Sequence, residues 1–370
     1  MKICDIATVK RGSSPRPIIN YISTDGYPWL KISDFSYGER YVYDTKEFII
    51  ESGLKNTKYV PKGSLIVTNS ATPGIPIFLG KDMCLHDGFL YFENIAPDVN
   101  PLYLYYFILN NRDYLVSQGN GSVFTNLKKE ILENTPITLP TMSEQSHIVD
   151  ILGSIDDKIE NNEKKIKKLL EAGQLFYKND IAKNQYDYAA LSTMVKITRG
   201  ASPRPIQNFL SSEGHPWIKI SDVTALTTPF LFETKEYVTS DGAARSVAVF
   251  PDDLILSNSA TPGIPVFVQM AAYVHDGWLV IREFKHITSN YLFWVLKNDR
   301  ESILSQGNGS IFTNLKTDIL KQHKIPVPHD ERMKYLDRLY GNILSSIKAL
   351  TTENSKLNEL KQLYLKKFFG

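Results

Sequence analysis

The sequence predicts an α+β protein with two duplicated modules and two long helices that pack antiparallel as a coiled coil. Three observations support this prediction. QGNGSVFTNLK (118–128) returns as QGNGSIFTNLK (306–316), and other motifs recur at the same offset of 188 or 189 residues. Each copy has β-branched runs before its helical segments, and each is followed by a heptad pattern. Antiparallel helices joining duplicated modules predict a pseudo-two-fold molecule.

The repeat consists of short motifs in a constant order. The matching pairs are RGSSPRPI (11–18) with RGASPRPI (199–206), PWLKISD (28–34) with PWIKISD (216–222), NSATPGIP at 69–76 and at 258–265, and HDGFL (86–90) with HDGWL (275–279). Residues 35–64 hardly resemble 223–252, and 79–85 differ from 268–274. A shared frame with altered segments indicates two similar binding modules with partly separate specificities. Drift in surface loops is the alternative explanation.

Within each copy, strands come first and helices come late. SLIVTNS and DLILSNS are apolar, β-branched runs of the kind that form strands. NPLYLYYFILNNRDYLVSQ and SNYLFWVLKNDRESILSQ each predict one amphipathic helix, a shorter helix begins within TNLKKEILEN, and ITLP or IPVP closes the copy. The predicted boundaries are 1–141 (module 1), 142–184 (central helix), 185–329 (module 2) and 330–370 (C-terminal helix).

A heptad seam of apolar residues follows each module. The first seam contains Ile148, Leu152, Ile155, Ile159, Asn162, Ile166, Leu169, Gly173 and Phe176. The second contains Ile343, Ile347, Leu350, Asn354, Leu357 and Tyr364, and it skips Lys361.

Each seam has one polar residue near its middle, Asn162 or Asn354. Antiparallel packing with these two side chains facing each other also places Ile166 opposite Leu350, and facing asparagines would fix the register. The alternative is that both asparagines are solvated and each helix packs on its own module. About 25–30 paired helical residues would span roughly 40 Å. That length is slightly more than one turn of B-DNA, about 34–36 Å, which suggests a duplex DNA ligand.

Bulk composition sets broad limits. The chain has 370 residues, enough for two or three domains, and its formal charge of +2 neither requires nor excludes nucleic acid. Cys4 and Cys84 are the only cysteines, so no disulfide framework is expected. The sequence shows no signal peptide and no apolar run of about 18 residues, so we expect a cytoplasmic protein without a membrane segment.

The repeated motifs supply the candidate DNA-contacting residues. In module 1 they are Arg11, Ser13, Ser14, Arg16, Lys31, Asn69, Ser70, Thr72, Asn120, Thr125, Asn126 and Lys128. In module 2 they are Arg199, Ser202, Arg204, Lys219, Asn258, Ser259, Thr261, Asn308, Thr313, Asn314 and Lys316.

Each residue type has a chemical reason to contact DNA and an ordinary structural alternative. Arginine can bind guanine O6/N7 or a phosphate, but a rigid turn with solvated arginines has the same sequence. Lysine can reach a phosphate or lie solvated on a strand. Asparagine suits adenine N6/N7, but it also forms Asx turns. The Gly-Asn-Gly loop before a helix suits a DNA phosphate, although Thr and Asn also cap helices.

No enzyme or metal site is visible. The sequence has no GxxxxGK[ST], HExxH or GxSxG motif, and no methyltransferase motif. His86-Asp87 and His275-Asp276 have no third ligand or nucleophile nearby in sequence, so a hydrogen-bonded turn is the better interpretation. Cys4 aligns with Ser192 in the repeat, which excludes a duplicated thiol site.

Taken together, RGxSPRPI, PWxKISD, QGNGSxFTNLK with its closing ITLP or IPVP, and the two long helices resemble the specificity (S) subunit of type I restriction-modification systems. The resemblance covers essentially the whole chain. One departure is that the sequence enters module 1 at once, so the two long helices alone would complete the pseudo-symmetry.

The resemblance implies a non-catalytic reader of double-stranded DNA whose two target-recognition domains each bind half of a gapped target. It also implies two methyltransferase subunits, which carry S-adenosylmethionine, and restriction subunits, which use ATP and Mg²⁺; the chain itself holds no cofactor. Because the modules are close copies, the half-sites should be related and the target partly palindromic. An S subunit of a type II system and a coiled-coil scaffold that binds no DNA are the alternatives.

Overall fold

A computed structural model describes residues 1–35, 38–118, 126–306 and 314–370. They form two compact units, one of Met1–Lys158 with Leu357–Gly370 and one of Ile159–Lys356. The first unit contains module 1, the second contains module 2, and each long helix contributes residues to both units. Strands precede helices in both modules, which confirms the predicted α+β class.

Module 1 has two β-sheets, each with five strands among the described residues. Its strands are β1 (Thr8–Arg11), β2 (Ile22–Ser23), β3 (Tyr27–Leu30), β4 (Tyr41–Val42), β5 (Glu47–Ile49), β6 (Lys58–Val60), β7 (Leu65–Thr68), β8 (Pro76–Leu79), β9 (Met83–Leu85) and β10 (Phe89–Glu93). The sheet orders are β1-β10-β7-β8-β4 and β2-β5-β3-β9-β6. The β3–β9 and β4–β8 pairs are parallel, and the other pairs are antiparallel.

Module 2 repeats this topology. Its strands are β11 (Asp187–Ala190), β12 (Lys196–Arg199), β13 (Leu210–Ser211), β14 (His215–Ile218), β15 (Phe230–Leu231), β16 (Glu236–Val238), β17 (Val247–Val249), β18 (Leu254–Ser257), β19 (Pro265–Val268), β20 (Ala272–Val274), β21 (Trp278–Arg282) and β22 (Lys324–Val327). The orders β12-β21-β18-β19-β15 and β13-β16-β14-β20-β17 match those of module 1 strand for strand. An additional antiparallel pair, β11 with β22, joins the start of module 2 to its closing segment.

The diverged segments keep the secondary structure of the repeat. Residues 35–64 supply β4, β5 and β6, and residues 223–252 supply the equivalent β15, β16 and β17. The 3-10 helix Glu51–Asn56 of module 1 is replaced by a short α-helix, Ser240–Ala244, in module 2. The two modules therefore share one backbone frame and differ here in the side chains that it displays.

The helices are α1 (Pro101–Asn110), α2 (Arg112–Ser117), α3 (Lys129–Asn134), α4 (Met142–Lys183), α5 (Ile220–Thr224), α6 (Ser240–Ala244), α7 (Ser289–Ser305), α8 (Thr317–Gln322) and α9 (Asp330–Phe369). None of the described helices is both long and apolar enough to span a membrane. The single helix predicted over 100–118 is wrong, since it breaks at Asn111. The Asn111 side chain donates to the Phe107 carbonyl at 2.9 Å, but a similar bond from Asn298 to the Trp294 carbonyl lies inside the continuous α7, so this bond does not explain the break.

Both long helices are longer than the paired region that the seams predict. α4 has 42 residues and α9 has 40, so each spans about 60 Å at roughly 1.5 Å per residue. The estimate of roughly 40 Å applied to the paired residues alone, and the first turns of both helices also pack on the modules. Ile148 and Leu152 of α4 lie in the core of the first unit, and Leu336 and Tyr340 of α9 lie in that of the second. The agreement with one turn of DNA therefore no longer supports DNA binding.

The predicted contact between the two seam asparagines is confirmed. Asn162 is completely buried, and its Nδ2 donates to Asn354 Oδ1 at 2.9 Å. Ile166 and Ile347 are buried in the same apolar cluster, and Leu350 packs against it. The second unit therefore holds α4 and α9 in the antiparallel register that the sequence predicts.

Candidate functional site

The repeated motifs of module 1 meet around one turn, His86–Asp87. Ser14 Oγ donates to Asp87 Oδ1 at 3.0 Å, and Arg11 Nε donates to the Asp87 carbonyl at 2.9 Å. Arg16 forms an ion pair with Asp87 Oδ2 at 3.4 Å, while its side chain stays 81% exposed. The Ser-Pro-Arg-Pro loop is therefore held by the His-Asp turn, with one arginine fork directed to solvent.

Module 2 builds the same arrangement around Asp276. Ser202 Oγ donates to Asp276 Oδ1 at 2.6 Å, and Arg199 Nε donates to the Asp276 carbonyl at 2.8 Å. Arg204 pairs with Asp276 Oδ2 at 3.3 Å and is 78% exposed. Two copies thus preserve not only the motif but also its hydrogen bonds.

A glycine makes this close approach possible in each module. A Cβ atom on Gly12 would lie 2.2 Å from the His86 carbonyl oxygen, and one on Gly200 would lie 2.1 Å from that of His275. Backbone atoms cannot yield to a contact that short, so only glycine fits between the arginine strand and the His-Asp turn. This explains why both copies read Arg-Gly before the loop.

The protonation states of the turn follow from its contacts. Burial opposes ionisation of the Asp87 carboxyl, but His86, the Ser14 hydroxyl and the nearby arginines outweigh it, so the pKa of Asp87 lies below its usual value. For Asp276, the hydrogen bond from Ser202 is the largest cause of a lowered pKa. Both carboxylates are therefore charged at neutral pH and can hold the arginine loop.

The two histidines are structural parts of the turn. His86 Nδ1 accepts the Gly88 N–H at 2.8 Å, and His275 Nδ1 accepts the Gly277 N–H at 2.9 Å. Burial lowers the pKa of both histidines. The interpretation of His-Asp-Gly as a hydrogen-bonded turn agrees with this geometry.

The Asn-Ser-Ala-Thr-Pro-Gly turn and the Thr-Asn-Leu-Lys segment join the same site. The Asn69 side chain donates to the Asp87 carbonyl at 3.3 Å, and the Asn69 backbone carbonyl accepts the Leu127 N–H at 2.8 Å. Asn258 makes the matching bonds, to the Asp276 carbonyl at 3.2 Å and from the Leu315 N–H at 2.6 Å. In both modules four motifs that are far apart in sequence are connected by hydrogen bonds.

Burial separates these candidate residues into three groups. Asn69 and Asn258 are 4% and 2% exposed, so they lie beneath the site and hold its loops. The asparagines and lysines of the Thr-Asn-Leu-Lys segments are exposed, namely Asn126, Lys128, Asn314 and Lys316. Thr72 of the Asn-Ser-Ala-Thr-Pro-Gly turn is exposed as well. Ser13, Ser70, Ser259 and Thr261 are half-buried at its edge. Asn120, Thr125, Asn308 and Thr313 lie outside the described residues.

Lys31 and Lys219 do not have free ammonium groups. Lys31 Nζ lies 2.6 Å from Glu47, and Lys219 pairs with Glu236 in the same way. The Lys31 side chain is 28% exposed and lies 5.7 Å from the Trp29 ring centre. A phosphate contact by either lysine would therefore compete with an existing ion pair.

A cleft of about 850 Å³ opens beside the arginine loop of module 2. Its lining includes Arg204, Gln207, Trp217, Ser259 and His275. Lys219 and Ser202 also contribute, so most of the lining comes from the repeated motifs. The aligned module 1 positions carry the same residue types, except that Ile19 stands where module 2 has Gln207.

Comparison with known proteins assigns the fold that carries these sites. Residues 1–172 and 183–363 match the family model described as "Type I restriction modification DNA specificity domain". The chain belongs to this family. Its two specificity domains contain the two copies of the site.

Individual relatives agree. The chain is similar to the type I restriction enzyme MjaIX specificity subunit of Methanocaldococcus jannaschii, with 30% identity over 185 residues, 48% of this chain and 42% of that subunit. It is 22% identical to the MjaVIII specificity subunit of the same organism over 393 residues, 98% of this chain and 89% of that one. The chain thus spans less than half of the first relative and most of the second.

A solved structure shares the fold. The type I restriction-modification S subunit from M. genitalium matches with a TM-score of 0.62 and 14% identity, covering 100% of this chain and 95% of that chain. At this identity the likeness supports the fold of the specificity subunit and carries no information on individual contacts.

Sequence reasoning missed the central part of each specificity domain site. Asp87 and Asp276 organise the arginine loops, and Glu47 and Glu236 pair with the motif lysines. Two sequence signals could have indicated these residues. His-Asp-Gly is repeated exactly in both domains, and Glu47 recurs as Glu236, at an offset of 189, although the surrounding segments have diverged. Their bonding partners depend on tertiary contacts that spacing alone does not specify.

Proposed function

We propose that this chain is the DNA-recognition subunit of a type I restriction-modification complex. Each specificity domain would read one half of a gapped double-stranded target. The observation that carries this proposal is the duplicated site in which four motifs converge on an ionised aspartate and present Arg16 or Arg204 to solvent. Family membership supports the same function and a non-catalytic role, because the named relatives are specificity subunits.

The common residues of the two sites suit contacts that position DNA. An exposed arginine fork binds phosphate or a guanine edge, and exposed lysines such as Lys128 and Lys316 add sequence-independent attraction. Phosphate contacts are the same on every sequence, so a duplicated protein can keep them unchanged in both domains. Arg11 and Arg199 are held by backbone carbonyls, and they would shape the loop while adding positive charge.

Base discrimination would come from the places where the domains differ. The diverged segments 35–64 and 223–252 supply matching strands with different side chains. Within the arginine loop itself, Ile19 is 77% exposed, and Gln207 replaces it in the second domain. Glutamine can bind adenine N6/N7, whereas an apolar side chain suits the thymine methyl group. The two half-sites should therefore be related but not identical, and the target partly palindromic.

Catalysis would reside on partner subunits. Two methyltransferase subunits carrying S-adenosylmethionine and restriction subunits using ATP and Mg²⁺ would assemble with this chain. The long helices α4 and α9 are the elements that we propose for docking the methyltransferases. The complex of this chain with its methyltransferase is therefore the right material for DNA-binding experiments.

Salt-dependent binding to duplex DNA tests the proposal. Affinity for a labelled duplex is measured by fluorescence anisotropy across a salt series, for the wild type and for Arg16→Ala/Arg204→Ala. We expect affinity to fall steeply with salt, and loss of two phosphate contacts should make the log–log slope shallower by roughly 2. No binding, or binding that neither salt nor the arginine substitutions change, would contradict the proposal and favour a scaffold that does not recognise DNA.

A further inference from the structure

Three buried polar contacts join α4 to α9, and they do not follow the repeat. In the first unit, Lys361 Nζ lies 2.7 Å from Asp156 Oδ1, with side chains only 11% and 7% exposed. Tyr106 Oη donates to Asp156 Oδ2 at 2.7 Å, and the Lys361 ammonium lies 5.9 Å from the Tyr106 ring centre. Lys361 is the position at which the apolar seam is interrupted, and the structure fills it with an ion pair.

The other two contacts lie in the second unit. Asn162 Nδ2 donates to Asn354 Oδ1 at 2.9 Å and to Glu353 Oε2 at 2.7 Å. Asp180, whose side chain is 1% exposed, pairs with Arg332. Each contact joins a residue of α4 to one of α9, and each is largely shielded from water.

The offset of 188 residues shows what stands at these places in the other copy. The α4 residues Asp156, Asn162 and Asp180 correspond to Leu344, Leu350 and Phe368 of α9. The α9 residues Arg332, Asn354 and Lys361 correspond to Glu144, Ile166 and Gly173 of α4. None of the six polar residues has a counterpart that could take its role.

The apolar positions of the seams behave differently. Ile155 corresponds to Ile343, Ile159 to Ile347 and Leu169 to Leu357, so the two helices offer nearly the same apolar surface. An α4 helix could therefore pack on a second α4, or an α9 on a second α9, with its apolar layers intact. The apolar seam alone does not select the partner.

The polar residues would penalise both like-with-like pairings. Two α4 helices in the same register would place Asn162 opposite Ile166 and Asp180 beside Glu144, and Asp156 would lose its cation. Burying an unpaired charge or amide is costly, whereas the α4–α9 pair gives each of the six side chains a polar partner on the other helix.

Two α9 helices would meet a corresponding penalty. Lys361 would lie against Leu344, Asn354 against Leu350 and Arg332 beside Phe368. A lysine without an anion and an amide facing a leucine are both left unsatisfied in such a pair. Both like pairings are therefore disfavoured by the same six side chains.

We propose that these three contacts make helix pairing selective, so that the N-terminal half of this protein pairs with the C-terminal half and not with a second N-terminal half. Selectivity of this kind requires features that disfavour the wrong partner as well as features that favour the right one. Its consequence is that a reader always combines one copy of each module. The inference does not depend on what the modules bind.

Fragment exchange after cleavage of the folded, full-length chain tests the proposal. A protease site is inserted between Asn184 and Gln185, which are both exposed at the end of α4. Folded protein with and without an N-terminal peptide tag is mixed and cleaved. It is then incubated under conditions in which tagged and untagged N-terminal fragments redistribute among the complexes. Native mass spectrometry counts the complexes that contain two N-terminal fragments.

We expect complexes with two N-terminal fragments to be at least tenfold scarcer in the wild type than in a variant with a neutral seam. The reason is that a buried polar side chain without a partner destabilises the wrong pair by roughly that factor or more. The neutral variant carries Asp156→Leu, Lys361→Met, Asn162→Leu, Asn354→Ile, Asp180→Leu and Arg332→Met, so that all three contacts are removed. If it does not fold, the Asn162→Leu/Asn354→Ile pair alone replaces it, with a smaller expected increase. The matched control is Lys348→Ala, which removes the ion pair between Lys348 of α9 and Asp252 of module 2. It should leave the distribution of fragment pairs unchanged.

Two results would overturn the proposal. One is that wild-type fragments form like pairs as often as the neutral variant. The other is that the neutral variant still forms only mixed pairs, which would assign the selectivity to the module–helix contacts instead of the three polar contacts.

Discussion

Asp87 holds the arginine loop of module 1, so replacing it with alanine tests whether the loop must be ordered to bind DNA. The change removes the hydrogen bond from Ser14 Oγ and the ion pair with Arg16, but it keeps the backbone carbonyl that Arg11 and Asn69 contact. The perturbation is therefore confined to the carboxylate.

The size of the effect follows from exposure. A hydrogen bond to a charged group contributes about 1.5–3 kcal/mol. The Arg16–Asp87 pair contributes about 0–1 kcal/mol, since Arg16 is 81% exposed. Without these contacts, the loop must be ordered when DNA binds, at a free-energy cost of about 2 kcal/mol. That cost corresponds to a decrease in affinity of roughly 30-fold.

The assay is anisotropy with a labelled duplex at one fixed salt concentration, and the control removes the same charge elsewhere. Asp44→Ala also deletes one carboxylate from the first unit, but Asp44 is 94% exposed and pairs only with Lys81 among the contacts described. Loss of a negative charge alone should hold or slightly increase DNA affinity. Asp87→Ala should decrease it, and Asp276→Ala should do the same through module 2.

A clear outcome would refute this reasoning. If Asp87→Ala binds DNA as tightly as Asp44→Ala or more tightly, then the carboxylate restrains the arginines and does not preorganise them. The site would in that case bind DNA through arginine side chains released from Asp87, and the geometry of the loop would not determine the affinity.

Further predictions concern the helix seam, the thiols and pH. Lys361→Met should lower the free energy of unfolding of the first unit by about 3–5 kcal/mol, and adding Asp156→Leu should restore most of that loss, as a double-mutant cycle in denaturant would measure. Burial raises the pKa of the Cys84 thiol to about 12, so maleimide should label only the exposed Cys4 in the native protein, and mass spectrometry showing two labels per chain would contradict this. Burial lowers the pKa of His275 below its ordinary 6.5, so its contribution to stability is complete above that pH and is lost as the pH falls below it. Thermal unfolding of a His275→Gln variant should show a smaller loss of stability between pH 7 and pH 5 than the wild type, and equal losses would count against this role.

The sequence predicted the features that depend on local pattern. The duplicated modules follow from motifs at a constant offset, and the register of α4 with α9 follows from pairing Asn162 with Asn354. Heptad spacing and a rare polar residue define a helix pair almost completely, because every contact repeats along one axis.

Features that depend on tertiary context were not predictable in the same way. Nothing in the spacing places Asp87 beneath Ser14 and Arg16, because that contact joins residues more than 70 positions apart. Asn69 reads as an exposed turn residue but is buried by the same assembly of loops. The seams did not show how far each long helix also packs on a module, because that contact depends on tertiary structure.

Adenine-methylation mapping of the host genome is the most direct test of the central claim. The genome is compared with this gene intact, deleted and restored, while expression of the methyltransferase partner is verified. The account predicts a gapped methylated motif with two related half-sites that disappears on deletion and returns on restoration. Methylation that is unchanged by deletion would contradict the claim that this chain selects the DNA target.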